Sequence, residues 1–394
     1  MDDSSQKTLA FLKTKFQEYY AQEIRALPDR FSRREFAFVL FAGKGMMRHI
    51  SFTKKADVYQ YLKERGPQHA YYSSAYYKLP DAPTMQEKEW MGAELIFDLD
   101  SDHLPNAEKM TYAESLAVVK QEFKKLVEEF LLDDFGFQKK YLELYFSGGR
   151  GYHCHVKDPN IFDLDSNERR EIVDYITARD LQDSIIFHEQ ATGRRRYGSQ
   201  YYASGKSLMM PRPDQIGWKG RISREIIAII NEIIESNDPI AKLQDYGVKR
   251  NEAEKLVKEL SEERVQRIRS GMLDQSKTIR KFFLNRALRK TAVALSAGET
   301  DEPVTCDVKR LIRLPFSLHG KTGFKVVPIA LQKLDHFEPL TDALAFHDEP
   351  TEVLLHNPYS ISLKDIQYTL EKGKQTVPLY VAVFLCGRRQ AVMV

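Results

Sequence analysis

The chain has 394 residues, enough for one large domain with insertions or for two to three smaller modules. Its charged and apolar fractions, 29% and 42%, are ordinary for a soluble globular protein, and its formal net charge is only +3, so any basic surface for nucleic acid must be local. The three cysteines, Cys154, Cys306 and Cys386, are too far apart for a cysteine-rich zinc site and do not indicate a disulfide framework.

The N-terminal segment shows no targeting signal. It has no apolar signal-peptide core, and no run in the chain approaches the ~18 apolar residues of a membrane span. We therefore expect a cytoplasmic protein, associated with the nucleoid if it acts on DNA.

The first predicted elements are a helix, a hairpin and a β-prone run. Apolar residues recur at helical spacing over 6–27, and strand-like runs at 35–41 and 48–53 surround Gly43 and Gly45. Glu35 and Arg48 flank this hairpin, and the sequence by itself favours exposed strand charges at both positions. An aromatic, β-prone run follows at 70–78.

The segment AELIFDLD at 93–100 is an apolar strand that ends in two carboxylates, Asp98 and Asp100. Residues two apart on a strand point to the same face, with Cα atoms about 6.6 Å apart. Two carboxylates so placed can share divalent ions, and oxygen ligands suit Mg²⁺ or Mn²⁺ rather than zinc. Taken alone, the three letters DLD favour an acidic surface loop, although their position at the end of a buried-looking strand argues against it.

A glycine-rich turn between predicted strands at 141–147 and 151–157 carries Arg150, with His153 on the second strand. The glycines permit positive φ and close backbone approach, Arg150 can bind phosphate oxygens bidentately, and His153 can add a hydrogen bond. The turn is not a P-loop, because no Lys-Ser/Thr follows and a strand comes next. The alternative is a plain glycine hairpin with an exposed arginine.

Helices dominate much of the rest of the chain. They are predicted at about 112–133, 166–178, 223–236, 251–269 (with Asn251 as cap and Glu254 three residues on) and 275–295. The polar segment 184–222 contains Arg194–Arg196 among tyrosines, which indicates either a nucleic-acid contact or a solvated basic loop. We predict a catalytic domain in two parts, 1–222 and 301–394, with an inserted helical subdomain at 223–300.

The third informative segment is VTCDVKRLIRLPFSLHGKTG at 304–323. Asp307 lies on a short β-prone run, which makes it a candidate third carboxylate. Arg313, His319 and Lys321 follow around a Pro-Phe turn; each alone would be an ordinary surface or capping group. The C-terminal part, 325–394, is predicted to mix short strands with turns, including an apolar strand at 378–385.

In these three segments the chain resembles the small, catalytic subunit of the archaeal and eukaryotic DNA primase. The sequence GGRGYH in its glycine-rich turn favours an archaeal member. The resemblance rests on the order DLD, SGGRGYH, and an aspartate followed by RLIRLPFSLHGKTG, supported by YSSAYYKLP at 72–80. It covers roughly residues 1–330. It implies the α/β primase fold, a mixed-sheet platform flanked by helices, with the helical block inserted.

The resemblance also implies roles for individual residues. Asp98, Asp100 and Asp307 would be catalytic and bind the metal ions, Mg²⁺ or Mn²⁺. The residues that would bind the incoming nucleotide are Ser147, Arg150, His153, Arg313, His319 and Arg48, with Glu35 near them. Zinc is not carried over, because the 101–112 connection offers only His103 and no cysteine. Gly149 stands where eukaryotic relatives have an arginine, so one phosphate contact is missing.

The expected function is that of a DNA-directed nucleotidyltransferase in replication. The chain would synthesise short RNA primers on single-stranded DNA from nucleoside triphosphates, with DNA primers left open, and a large primase subunit would be its partner. Two alternatives remain: a primase-polymerase that extends existing ends in repair or for a plasmid, and a catalytically inactive scaffold.

Overall fold

The computed structural model of the chain describes residues 3–22, 26–101, 109–191, 193–203, 206–273, 276–285, 289 and 301–394. The chain divides into two compact units. The first contains Met1–Val127, Phe137–Val173 and Glu299–Val394, and the second contains Glu128–Gly136 and Asp174–Gly298. The helical insertion predicted at 223–300 falls mostly within the second unit. Its boundaries at residues 222 and 300 stay a prediction.

Helices make up most of the second unit and flank the sheets of the first. Those within the described residues are α1 (Asp3–Ala21), α2 (Lys55–Arg65), α3 (Tyr112–Lys125), α4 (Ser166–Ile176), α5 (Asp183–Ile186), α6 (Gly217–Glu235), α7 (Pro239–Asp245), α8 (Arg250–Glu259), α9 (Glu262–Arg269), α10 (Lys277–Leu284), α11 (Glu302–Cys306), α12 (Pro339–Asp342) and α13 (Leu379–Gly387). Helix α3 continues as a wider, π-type helix over Leu126–Asp134.

The strands are short. In chain order they are β1 (Phe36–Val39), β2 (Met46–Ile50), β3 (His69–Ser73), β4 (Ala75–Tyr77), β5 (Trp90–Ala93), β6 (Leu95–Asp100), β7 (Leu142–Phe146), β8 (Gly151–Val156), β9 (His188–Ala191), β10 (Arg194–Tyr197), β11 (Gln200–Ala203), β12 (Lys206–Met209), β13 (Leu311–Arg313), β14 (Val327–Ile329), β15 (Pro350–Leu355), β16 (Tyr359–Leu363), β17 (Ile366–Leu370), β18 (Gly373–Pro378) and β19 (Ala391–Met393).

Two four-stranded antiparallel sheets form the centre of the first unit. Their strand orders are β13-β3-β1-β2 and β14-β7-β8-β6. Smaller sheets, β18-β15-β19, β16-β17 and β4-β5, complete this unit, whereas the second unit contains the pairs β10-β11 and β12-β9. The mixed α/β class predicted from the sequence is confirmed.

The sheet β14-β7-β8-β6 has one face covered by helix α3 and one face that carries polar groups. On the covered face Leu99 lies opposite Tyr152 in the β6–β8 ladder, and the Tyr152 ring stacks on Phe123 of α3 at 5.3 Å. Because side chains alternate along a strand, Asp98 and its ladder partner His153 project from the other face. The predicted strands around DLD and around the glycine-rich turn are confirmed, as is the β1–β2 hairpin.

Two strand predictions were wrong. The run at 304–308 is not a strand: α11 begins after Asp301, whose side chain accepts a hydrogen bond from the Val304 N–H, and Pro303 lies in its first turn. The run at 378–385 is the helix α13, in which every residue from Leu379 to Cys386 is buried. A helix buried on all sides shows no amphipathic period, so a short apolar run does not distinguish it from a strand.

The helix predicted at 251–269 is interrupted. It consists of α8 and α9, separated at Leu260 and Ser261, because the Ser261 hydroxyl accepts a hydrogen bond from the Arg264 N–H and starts a new helix. Asn251 is not the cap of α8, which begins at Arg250 after Lys249. The helix predicted at 275–295 is observed as α10, and most of its second half lies outside the described residues. None of the described helices is long and apolar enough to span a membrane.

Candidate active site

Asp98 and Asp100 lie side by side on the polar face of β6, as their spacing predicted. Both are half-buried. Burial raises the pKa of Asp98 to about 7, and the nearby charges of Asp100 and Asp301 add to the shift, against the opposing effect of Arg310 and Arg313. A carboxyl with such a pKa carries only part of its charge near neutrality, and a cation bound beside it would favour the ionised form.

The turn between β7 and β8 is held by Ser147. Its hydroxyl oxygen accepts hydrogen bonds from the Gly149 N–H at 3.2 Å and the Gly151 N–H at 3.3 Å. These two amides therefore already have a partner within the turn. Arg150, at the tip, extends to Asp100, with Nε 3.6 Å from a carboxylate oxygen. The guanidinium and the DLD carboxylates thus meet at one edge of the sheet.

Glycine is required at two positions of this turn for steric reasons. A Cβ at position 151 would lie 2.0 Å from the Leu99 carbonyl oxygen, so β6 and β8 approach each other only because Gly151 has no side chain. Gly148 has φ of +75°, and a Cβ there would lie 3.0 Å from the Cβ of His319. The turn is therefore packed directly against the third segment.

His153 is buried opposite Asp98 and belongs to a chain of hydrogen bonds. Its ring stacks on Tyr145 at 5.2 Å, and its Nδ1 lies 2.8 Å from Nε2 of His155. Its own Nε2 is buried without a hydrogen-bond partner among the described residues. Burial, followed by the neighbouring His155 and Arg313, holds the pKa of His153 well below its usual range, so the ring is neutral in the free protein.

The chain of hydrogen bonds continues from His155 to Glu94. Nδ1 of His155 lies 2.8 Å from Oε2 of Glu94, and the other Glu94 oxygen pairs with the buried guanidinium of Arg34. Burial opposes ionisation of Glu94, but Arg34 and the hydrogen bond from His155 outweigh it and hold the pKa of this carboxyl well below its usual range. Ionised Glu94 only accepts, so Nδ1 of His155 carries the proton. The hydrogen bond from His155 in turn orients the neutral ring of His153.

Arg313 and His319 of the third segment lie close to the turn. Arg313 stands opposite Tyr71 in the β13–β3 ladder, with its guanidinium carbon 4.8 Å from the Tyr71 ring, and it donates to Nδ1 of His69. His319 packs on Gly148, and Thr322 of the same loop donates to the Gly148 carbonyl oxygen at 2.6 Å. The second and third segments, far apart in the sequence, are thus in contact.

Asp307 follows directly after α11 and not on a strand. It is exposed, and its carboxylate accepts a hydrogen bond from the Lys309 N–H at 2.8 Å. The start of α11 is joined to β6 by a hydrogen bond of 2.9 Å from the Asp301 N–H to the Asp98 carbonyl oxygen. Within the described residues, no three His, Cys, Asp or Glu side chains already form a metal-binding cluster. His103 lies outside the described residues.

Glu35 and Arg48 form an ion pair, with Arg48 Nε 3.0 Å from the Glu35 carboxylate. Lys88 is a second partner of that carboxylate, at 3.2 Å. The interpretation of Glu35 as an exposed strand charge was wrong, because its side chain is fully buried. Arg48 remains partly exposed and keeps a solvent-facing side. Glu35 therefore fixes Arg48 in place on the hairpin.

Sequence reasoning missed the supporting residues of the site. His155 could have been predicted, because it follows His153 by two residues on one strand and therefore lies on the same face. Glu94 and Arg34 had none, since their contacts join residues 60 and 61 positions apart in the chain. Asp301, whose charge helps to raise the pKa of Asp98, looks like an ordinary helix cap in the sequence.

Residues 97–331 of this chain, more than half of its length, match the sequence model of the DNA primase small subunit. The chain therefore belongs to the DNA primase small subunit family, as the resemblance indicated.

Curated relatives carry the name DNA primase small subunit PriS. One, from Methanocella arvoryzae, is 39% identical over 98% of both chains. Another, from Methanothrix thermoacetophila, is 40% identical over 97% of this chain and 98% of its own length. A third, from Picrophilus torridus, is 37% identical over 95% of both. The similarity extends well beyond residue 330, so the C-terminal part belongs to the same family as the rest.

Proposed function

We propose that this chain is the catalytic subunit of a DNA primase, which joins nucleotides on a single-stranded DNA template into a short RNA primer for replication. Family membership supports the class of reaction. The observation that carries the proposal is the juxtaposition of two carboxylates, Asp98 and Asp100, with Arg150 and with the buried His153 on one sheet face. A nucleotidyl-transfer site needs carboxylates for metal and cations for phosphate.

The carboxylates fit a pair of hard divalent cations, Mg²⁺ or Mn²⁺. Their donor atoms are all oxygens, and a bound cation would offset both the burial and the repulsion from neighbouring carboxylates that raise the pKa of Asp98. Asp98 and Asp100 would hold the ions, with Asp307 as the third ligand. Ions held there would supply polarisation of the α-phosphate and activation of the attacking 3′-hydroxyl group.

The cationic side chains around the turn would bind the triphosphate. Arg150 and Arg313 can donate to phosphate oxygens in pairs, and Ser147, His153, His319 and Arg48 lie on the elements that surround them. Since the Gly149 and Gly151 amides already donate to Ser147, we assign most of the phosphate recognition to the side chains. The role of the arginines is electrostatic: they neutralise charge that develops on the departing pyrophosphate, whereas Ser147, His153 and His319 would contribute as neutral polar groups.

A large primase subunit is the proposed partner, together with single-stranded DNA and nucleoside triphosphates. The net charge of only +3 suggests that the partner supplies much of the template affinity. We expect the isolated chain to bind single-stranded DNA weakly, and more tightly with the large subunit. Tight binding by the isolated chain, measured by fluorescence anisotropy at physiological salt, would contradict this division of roles.

The experiment that tests the function is primer synthesis on unprimed single-stranded DNA with labelled nucleotides and Mg²⁺ or Mn²⁺. Wild type is compared with Asp98→Asn and Asp100→Asn, with and without the large subunit. Asp57→Asn, an exposed carboxylate on α2, is the matched control. We expect metal-dependent products from wild type and Asp57→Asn and none from the site variants. No product from folded wild type with its partner would favour the end-extending polymerase or the inactive scaffold.

A further inference from the structure

The C-terminal helix α13 ends against the loop that carries His319. A Cβ at Gly387, the last residue of α13, would lie 2.9 Å from the Lys321 carbonyl oxygen and 3.0 Å from that of Gly320. Phe384 of the same helix stacks on Phe324 with ring centroids 5.6 Å apart. The same loop packs on Gly148 of the 147–151 turn between β7 and β8. The end of α13 therefore belongs to the surroundings of the candidate active site.

Arg388 follows α13 directly, and its guanidinium packs against two adjoining aromatic rings, whose centroids lie 5.9 Å apart. Its central carbon lies 5.1 Å from the Tyr112 ring centroid and 5.2 Å from that of Phe384. The side chain is half-buried. Within the described residues its guanidinium has neither an ion pair nor a hydrogen bond. A partly desolvated arginine without a carboxylate keeps its donors available for an anion.

Tyr112 connects this arginine to the 147–151 turn. Its hydroxyl donates a hydrogen bond to the Gly149 carbonyl oxygen, and Gly149 precedes Arg150. One phenol ring therefore separates the Arg388 guanidinium from the turn. Burial raises the pKa of Tyr112, and the charges of Arg388 and Arg150 both oppose this shift, so both arginines act on the same hydroxyl group. Stacking on two rings restricts the guanidinium and lowers the entropy lost when it binds an anion.

We propose that Arg388 binds the triphosphate of the nucleotide held by the 147–151 turn. It would add a fixed cation from the C-terminal part of the chain, for which the sequence predicted no role. The inference rests on the proposed function, since it names a further residue of the same site. A triphosphate is favoured over a template phosphate because Arg388 approaches the turn that carries Arg150, through Tyr112 and the 319–323 loop.

The test compares Arg388→Gln with Arg388→Lys and with the neighbouring Arg389→Gln. Arg389 is exposed and lies next to Arg388 in the chain, which makes it the matched control. Loss of a charge-assisted hydrogen bond is expected to raise the KM for nucleotide roughly tenfold in Arg388→Gln, with kcat changed less than twofold. Arg388→Lys should recover part of the loss, and Arg389→Gln should match wild type.

A binding measurement without DNA separates this inference from the function on which it rests. ATP, ADP and AMP are titrated into each variant in Mn²⁺ buffer by calorimetry. Wild type should prefer ATP, and Arg388→Gln should lose part of its preference for ATP over AMP.

Unchanged nucleotide binding in Arg388→Gln, or weaker DNA binding with unchanged nucleotide KM, would overturn the assignment while leaving primer synthesis by wild type intact. Failure of wild type to make primers would instead overturn the proposed function. If Arg388→Gln does not fold, Arg388→Met, which keeps an aliphatic stem against the two rings, takes its place under the same criteria.

Discussion

His153 and His155 share a hydrogen bond of 2.8 Å between Nδ1 and Nε2, and this bond couples the candidate active site to a buried ion pair. At its far end, Glu94 is fixed by Arg34, and at its near end Nε2 of His153 lies buried beside Asp98. This series of hydrogen bonds fixes the orientation of the His153 ring.

We predict that His155→Phe weakens nucleotide binding. The aromatic ring is kept, but His153 loses the hydrogen-bond partner that orients its ring. The KM for nucleotide should rise roughly five- to tenfold, equivalent to about 1–1.4 kcal/mol, with a smaller effect on kcat. His155→Gln, which restores a hydrogen-bonding side chain, should recover part of the loss.

Tyr72→Phe is the control for the His155 variants. The Tyr72 hydroxyl lies 3.3 Å from the same His155 ring, so its removal perturbs the same buried region without interrupting the chain to His153. A nucleotide KM that changes equally in Tyr72→Phe and His155→Phe would show that the effect is general loss of packing.

We predict that Glu94→Gln destabilises the protein and makes it less sensitive to acid. Removing one partner of a buried pair leaves Arg34 with Asp29 as its only ionic partner among the described residues, at a cost of about 3 kcal/mol at pH 7. Because the pKa of Glu94 is lower in the folded protein than its usual 4.5, its contribution to stability is complete above that value and is lost as the pH falls below it.

Urea unfolding at pH 7 and pH 4 measures both effects of Glu94→Gln. The difference in unfolding free energy between wild type and variant should be smaller at pH 4. A difference that is the same at both pH values would contradict the ionised state assigned to Glu94.

We predict that Asp98→Asn raises the thermal stability of the metal-free protein at pH 8. The pKa of Asp98 is raised from 3.8 to about 7 on folding, so wild type loses stability as the pH rises through this interval and the buried carboxyl must ionise. The amide has no charge to bury. Scanning calorimetry at pH 8 should show a higher Tm for the variant by a few degrees, and Mn²⁺ should raise the Tm of wild type only. A lower Tm for metal-free Asp98→Asn would contradict the raised pKa.

We predict that Gly151→Ala disrupts the site by separating β6 from β8. The new Cβ would meet the Leu99 carbonyl oxygen at 2.0 Å, a distance that backbone atoms cannot relieve without moving the strand that carries Asp98. Gly43→Ala is the control, because its nearest neighbours lie at an ordinary 3.4 Å. Circular dichroism and nucleotide binding should report a loss in Gly151→Ala alone. Normal binding by both variants would contradict the register of β6 and β8.

The parts of the site that the sequence predicted are those set by local patterns. Alternation placed Asp98 and Asp100 on one face, and the glycines between two strand-like runs marked the turn at 147–151. Asp307 was assigned to a strand because five residues are too few for a helical period, and the cap at Asp301 decided otherwise. Glu94, which bonds to His155, and Tyr112, which packs on Arg388, come from distant parts of the chain, so no local pattern identifies them.

Product analysis on unprimed single-stranded DNA, with the large subunit present, distinguishes a primase from a polymerase that only extends existing ends. The first product is separated by mass and its 5′ end identified, beside a reaction on a template that carries an annealed primer. We predict a dinucleotide that keeps an intact 5′-triphosphate, formed by wild type and lost in Asp98→Asn and Asp100→Asn. Extension of the annealed primer without any dinucleotide on the unprimed template would contradict the assignment as a primase.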